Sequence, residues 1–191
     1  MKIAILGWGS LLWDKRPEFD EQHEDWQFDG PSLKIEFSRV SQTRNGALTL
    51  VLDSKDGVSC QVAYAFSKRN NPDDAICDVR CREGTTLNNV GFYFADNSRK
   101  QAREEQVLKT IQDWASGRKL DVVIWTDLES NFQKESRCGK SFSIETALCH
   151  IQALDDKGKT MAAEYVRCSP TFVNTPLRDV LQAQPWFQKN G

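Results

Sequence analysis

The sequence predicts an α+β fold, strands first and helices after, with the strands forming a mixed or antiparallel sheet that can curl into a barrel. Three observations predict it. Four short apolar segments crowd into the first 66 residues. Asn45-Gly46, the strongest short-range turn signal in the chain, stands between two of them. From Asn71 onward most apolar residues recur at helical spacing instead of alternating.

The strands follow in order. Lys2 to Leu6 is a short apolar run fit for a buried strand. Leu33 to Ser41 alternates, placing Leu33, Ile35, Phe37 and Arg39 on one side. Ala47 to Leu52 is continuously apolar and pairs with it as a hairpin through Asn45-Gly46. Val58 to Phe66 reads as one further strand. The polar stretch from Asp14 to Gly30 reads as a solvated loop anchored by Trp26 and Phe28, or else as a lid over a cleft.

Helices follow. Asn71 can cap, Pro72 suits the first helical position, and Asp73 and Asp74 suit the positive end of the dipole. Ala75, Ile76 and Val79 then share a stripe, and Gly84 is the natural stop. Ser98 to Ala115 reads as a helix with Val107, Leu108, Ile111 and Trp114 on one face, ended by Gly117. Asp121 to Thr126 is one more buried strand. Ser143 to Leu154 is amphipathic and closes at Lys157-Gly158. A short helix around Met161–Val166 ends before Pro170, and Thr175-Pro176 opens the last one. With no linker in view, residues 1–191 read as a single domain with a C-terminal helical segment over about 143–191.

Composition excludes some classes of function. Lys+Arg number 25 against 27 Asp+Glu, so no basic footprint for nucleic acid exists. No apolar stretch nears the roughly 20 residues that span a bilayer, and the N-terminal apolar run is too short for an export signal. A cytoplasmic protein without nucleic-acid or membrane partners is expected. The 6 cysteines lack framework or zinc spacing and read as free, mostly buried thiols, with no metal expected. His23 and His150 read as surface or supporting residues.

Two features carry chemistry. Gly7-Trp8-Gly9-Ser10-Leu11 follows the first strand, where glycines let backbone N–H groups face an anion. A dinucleotide fingerprint is disfavoured, because Leu12 stands where its third glycine belongs and Pro17 blocks continuation of a helix from the loop. A plain strand-ending turn is the alternative. The second feature is Glu83, four residues after Val79 on the apolar stripe. A carboxyl pushed toward an apolar core has its pKa raised and suits acid–base work near neutral pH. Equally, Glu83 can fray into solvent or pair with Arg80 or Arg82.

Together these features resemble the gamma-glutamylcyclotransferase-like superfamily. The resemblance runs over residues 1–85 through Trp8-Gly9-Ser10-Leu11, the strand Val62-Ala63-Tyr64-Ala65-Phe66, and Arg82-Glu83-Gly84-Thr85. The back half, with Ala162-Ala163-Glu164-Tyr165-Val166, resembles a less characterised branch. The resemblance implies a small β-barrel ringed by helices, with loop and glutamate meeting in one pocket. It implies cyclisation of a γ-glutamyl amide to 5-oxoproline with release of an amine, without cofactor or metal. In that reading Glu83 is catalytic, and Gly7, Trp8, Gly9, Ser10 and Leu11 bind a small γ-glutamyl substrate. Arg39 or Arg44 is a further candidate to meet the substrate's α-carboxylate. The family's usual tyrosine before Gly-Ser is Trp8 here, which offers an indole N–H but no hydroxyl. That departure leaves a divergent or inactive small-molecule-binding relative as the alternative.

Overall fold

A computed structural model describes residues 1–189. The chain is α+β and separates into two compact units, each made of two stretches of sequence. The first comprises 1–33 and 61–128, the second 34–60 and 129 onward.

The first unit holds a five-stranded sheet. Its strands are β1 (Ile3–Gly7), β5 (Ala63–Phe66), β6 (Val90–Phe94), β7 (Lys100–Gln101) and β8 (Val122–Thr126), in the order β5-β1-β8-β6-β7. β1 and β8 run parallel and the other pairs antiparallel, so the sheet is mixed. Ile3, Ile5, Val122 and Ile124 point to one face and join Ala75, Ile76 and Val79 of α2 (Pro72–Arg82) in a core completed by Leu11, Phe19 and Phe92. The alternate residues point the other way. There Tyr64, the partner of Leu6, meets Trp114 of α3 (Glu105–Arg118) edge-on at 5.1 Å. The helices thus cover both faces.

The second unit holds a three-stranded sheet in the order β3-β2-β4, formed by β2 (Ser32–Val40), β3 (Leu48–Leu52) and β4 (Val58–Gln61). β2 and β3 pair antiparallel as the hairpin signal predicts. Asn45 (φ 49°) and Gly46 (φ 84°) both take the left-handed conformation that this signal requires. Helices α4 (Ile144–Gln152), α5 (Asp156–Cys168), α6 (Pro176–Gln182) and α7 (Pro185–Lys189) follow. Ser143 and Thr146 form a reciprocal capping box on α4, and Thr175 caps α6.

Arg178 of α6 organises the second unit. Its guanidinium donates to the carbonyls of Pro170 and Val173 (2.6 Å each), Ser169 (2.8 Å) and Val166 (3.2 Å), gathering the C-terminal end of α5 and the turn after it. A single ammonium cannot serve four carbonyls in this fork geometry. Arg178→Lys and Arg178→Met therefore both lower unfolding stability, each by about 2 kcal/mol, the cost of stranding buried acceptors. Denaturant titration of the purified variants checks this.

Several sequence expectations need correction. No closed barrel forms among the described residues; the strands divide between two open sheets. Val58–Phe66 is not one strand but β4 and β5, which lie in different sheets. The helix expected from Ser98 starts at Glu105, because Lys100–Gln101 pairs with β6 first. It runs past Gly117 and ends at Lys119, whose φ of 54° breaks the helix. Gly158 opens α5 instead of closing α4: an added Cβ there would sit 2.8 Å from the Asn45 carbonyl. β6, continuously apolar and so without a readable period, is additional.

The Asp14–Gly30 segment is tied down. α1 (Pro17–Asp20) buries Phe19, and backbone hydrogen bonds link Glu24 to Phe66, Gln27 to Tyr64 in both directions, and Gly30 to Val62. The segment thus lies along β5 and satisfies its outer edge. Trp26 packs on the core as expected, but Phe28 is 61% exposed. His23 is 6% exposed, its ring against Phe19 and Trp26, so it is not a surface residue. The thiols are free, but only Cys60 is buried; Cys77, Cys81, Cys149 and Cys168 are exposed.

Candidate functional site

The glycine loop leaves β1 where the strand pairs β5 on one side and β8 on the other. Gly7 is required by its surroundings, since a Cβ there would come within 2.9 Å of the Trp26 ring. Two turns then reverse the chain, Leu12 N–H donating to the Gly9 carbonyl (3.0 Å) and Asp14 N–H to that of Ser10 (2.9 Å). Trp8 is 4% exposed, and Leu11 is sunk in the core of the first unit, so the Leu11 side chain is an anchor. The backbone N–H groups of Gly9, Ser10 and Leu11 meet no acceptor among the described residues. Gly9 and Leu11 are buried residues, where an unmatched N–H is costly. Three successive donors of this kind suit a carboxylate or a developing oxyanion.

Glu83 sits at the end of α2. Asn71 starts the helix as predicted, its side chain accepting from the Asp73 N–H. Glu83 is the C-cap residue, half-buried, its N–H donating to the Val79 carbonyl at 3.0 Å. Gly84 (φ 56°) then turns the chain, and its N–H bonds to Cys81 while that of Thr85 bonds to Arg80. This paired closure ends the helix at a defined residue and fixes where Glu83 leaves it.

Arg82 joins the two features. Its side chain is 6% exposed, and its guanidinium donates to the carbonyls of Ser10 (3.0 Å) and Asp14 (2.8 Å), with the Asp14 carboxylate 3.8 Å away. The residue beside Glu83 therefore holds the loop by its carbonyl acceptors. Sequence reasoning offered Arg82 only as an ion-pair partner for Glu83. Its signal was present in its spacing, three residues after Val79 on the buried stripe.

Arg39 and Arg44 belong to the second unit and are engaged there. Arg39 donates to the Glu129 carbonyl at 2.8 Å, and Arg44 lies over the Tyr165 ring at 5.2 Å. His150 donates through Nε2 to the Gly46 carbonyl at 2.8 Å, which makes it a supporting residue of the hairpin turn.

The second unit has a buried polar cluster that sequence reasoning missed. Glu36 accepts from the Phe37 N–H at 2.7 Å and from the Thr175 hydroxyl, and no cation among the described residues pairs with it. Burial pushes its pKa up to about 7, with the Asp53 and Asp56 charges adding to the rise. Asp53 accepts from the Ser38 hydroxyl at 2.6 Å and from the N–H groups of Asp56 and Lys55. Burial likewise raises the Cys60 thiol.

Among the described residues, no group of three or more His, Cys, Asp or Glu side chains could hold a metal ion. No helix among them is long and apolar enough to cross a membrane. No protein-family model, curated protein or solved structure matches the chain.

Proposed function

We propose that the protein is a γ-glutamyl cyclotransferase-like enzyme that converts the γ-glutamyl group of a small amide or peptide to 5-oxoproline and releases an amine. The observation that carries this reading is the run of N–H groups at Gly9, Ser10 and Leu11 that meets no acceptor among the described residues, held through Arg82 to the end of α2 that bears Glu83. The sequence resemblance over residues 1–85 supplies the reaction class.

The chemistry follows from these groups. The substrate's α-ammonium must lose a proton before its nitrogen can attack the γ-carbonyl. The Glu83 carboxylate takes that proton. Ring closure places negative charge on the γ-carbonyl oxygen, and the loop N–H groups stabilise it or hold a substrate carboxylate. The tetrahedral intermediate collapses as the C–N bond to the leaving amine breaks; Glu83 returns the first proton to that amine, the ring nitrogen gives up a second proton to become the lactam N–H, and the amine leaves with both as an ammonium. The attack is intramolecular, so the main demand on the protein is to hold the substrate folded. Ser10 acts at most as a hydrogen-bond donor. The reading places this activity in the cytoplasm with no cofactor.

The test is 5-oxoproline release from γ-glutamyl amino acids, γ-glutamyl amines and glutathione, followed by chromatography. Release from at least one class is expected; no turnover on any class sinks the reading. A second reading, a relative that binds such a ligand without turning it over, is favoured by Trp8, which is buried where the family has tyrosine. Ligand-dependent thermal stabilisation without product would favour it.

A further inference from the structure

The solvent face of α2 carries an unassigned pair of thiols. Cys77 and Cys81 are both exposed, and their sulfurs lie 3.8 Å apart. Arg80, also exposed, donates from Nη2 to both, at 3.5 Å to Cys77 and 3.6 Å to Cys81. The buried face of the same helix is the apolar stripe already described, so this arrangement plays no part in packing the core. A metal cation bridging the sulfurs would meet the guanidinium's charge. An attacking sulfur that gathers negative charge would be met by hydrogen bonds from it.

We propose that Cys77 and Cys81 are a peroxide-reactive dithiol that closes to an intrahelical disulfide. One thiolate attacks the nearer oxygen of a hydroperoxide. An S–O bond forms, the O–O bond breaks, and the departing oxygen takes a proton and leaves as water or an alcohol. The product is a sulfenic acid. The second thiolate attacks the sulfenic sulfur, an S–S bond forms, the S–O bond breaks, and water leaves. Two electrons pass from the two sulfurs to one peroxide, and the two thiol protons end in water and in the water or alcohol first released.

Helix geometry sets the consequence. Side chains four residues apart have Cβ atoms about 5–6 Å apart. A disulfide wants them about 3.5–4.5 Å apart, so closure must distort the last turn and leaves a readily reduced bond. That turn contains the Arg80 and Cys81 carbonyls, which accept from the Thr85 and Gly84 N–H groups. Oxidation therefore loosens the end of α2, where Arg82 and Glu83 sit.

The experiment treats the full chain with hydrogen peroxide at stoichiometric dose. Thiol titration, peptide mass mapping and backbone hydrogen exchange are the readouts. The expected result, with the thiols titrated after an acid quench and unfolding, is a fall from six to four, with a two-hydrogen mass loss confined to the Cys77–Cys81 segment. It comes with faster exchange at Gly84 and Thr85, all reversed by a dithiol reductant. Cys77→Ser and Cys81→Ser each stop at a sulfenic acid that a cyclic 1,3-dione traps. Arg80→Gln slows the first step ~10-fold or more, the loss of a charge-assisted hydrogen bond to the reacting sulfur. Oxidation of the exposed Cys149 and Cys168 at the same rate, or crosslinking between chains, would overturn the proposal. So would a disulfide rate unchanged in Arg80→Gln.

Discussion

Replacing Glu83 with glutamine is expected to lower turnover of the proposed γ-glutamyl substrate by at least ~100-fold, the low end of what a positioned acid–base group contributes. The substitution keeps the side chain's length and shape and removes only its ability to carry the proton. The backbone bond from Glu83 N–H to Val79 and the turn at Gly84 do not depend on the carboxylate. Folding should therefore be intact by circular dichroism. Substrate KM should change far less than kcat, since the ligand's anionic part is assigned to the loop N–H groups. Arg82→Met provides the contrast. It frees the Ser10 and Asp14 carbonyls from α2, so its main effect should fall on KM. Full activity in Glu83→Gln would remove Glu83 from the mechanism.

Glu36→Gln is expected to stabilise the fold above pH 7 by about 3 kcal/mol. The carboxyl is 3% exposed, and its pKa is raised from 4.5 to about 7 by burial first, then by Asp53 and Asp56. Below the unfolded value the group is neutral in both states and imposes no penalty. Between about 4.5 and 7 the unfolded chain ionises while the folded chain does not, so stability falls as pH rises. Above 7 the loss is complete. A shift of this size corresponds to about 3 kcal/mol. Glutamine stays neutral throughout and can still accept from the Phe37 N–H and the Thr175 hydroxyl. The measurement is the difference in unfolding free energy between wild type and variant at pH 4 and pH 8. It should be near zero at the first and large at the second. An equal difference at both would contradict a buried, titrating Glu36.

These two glutamates mark how far the sequence could be read. Glu83 was legible because cap, stripe and stop are all local: Asn71, Ala75, Ile76, Val79 and Gly84 define the helix without reference to anything distant. The β2–β3 hairpin was legible for the same reason. Glu36 was not. Alternation in β2 puts Ile35 and Phe37 on one face and Glu36 on the other, which reads as solvent. Residues 35–38 are in fact buried on both faces, with the register shifting between Glu36 and Arg39. What covers the second face includes Thr175, 139 residues further on, and no local pattern announces it. Exposure of Cys77 and Cys81 was misjudged by composition, which favours buried thiols, although their offset from the Ala75–Ile76–Val79 stripe already placed them outward.

The parallel pairing of β1 with β8 has a consequence for how the chain acquires its shape. The two strands lie side by side in the sheet, yet Lys2 and Asp121, bonded just before the two strands begin, are 119 residues apart. During synthesis β1 emerges first and must wait for more than a hundred residues before its neighbour exists. Until then the glycine loop hangs from a strand paired at most with β5, and Ile3 and Ile5 lack Val122 and Ile124 against them. Such non-local closure is slow and leaves apolar edges open in the meantime. The central β1–β8 pairing from which the glycine loop departs can therefore close only after the chain through Thr126 has been made.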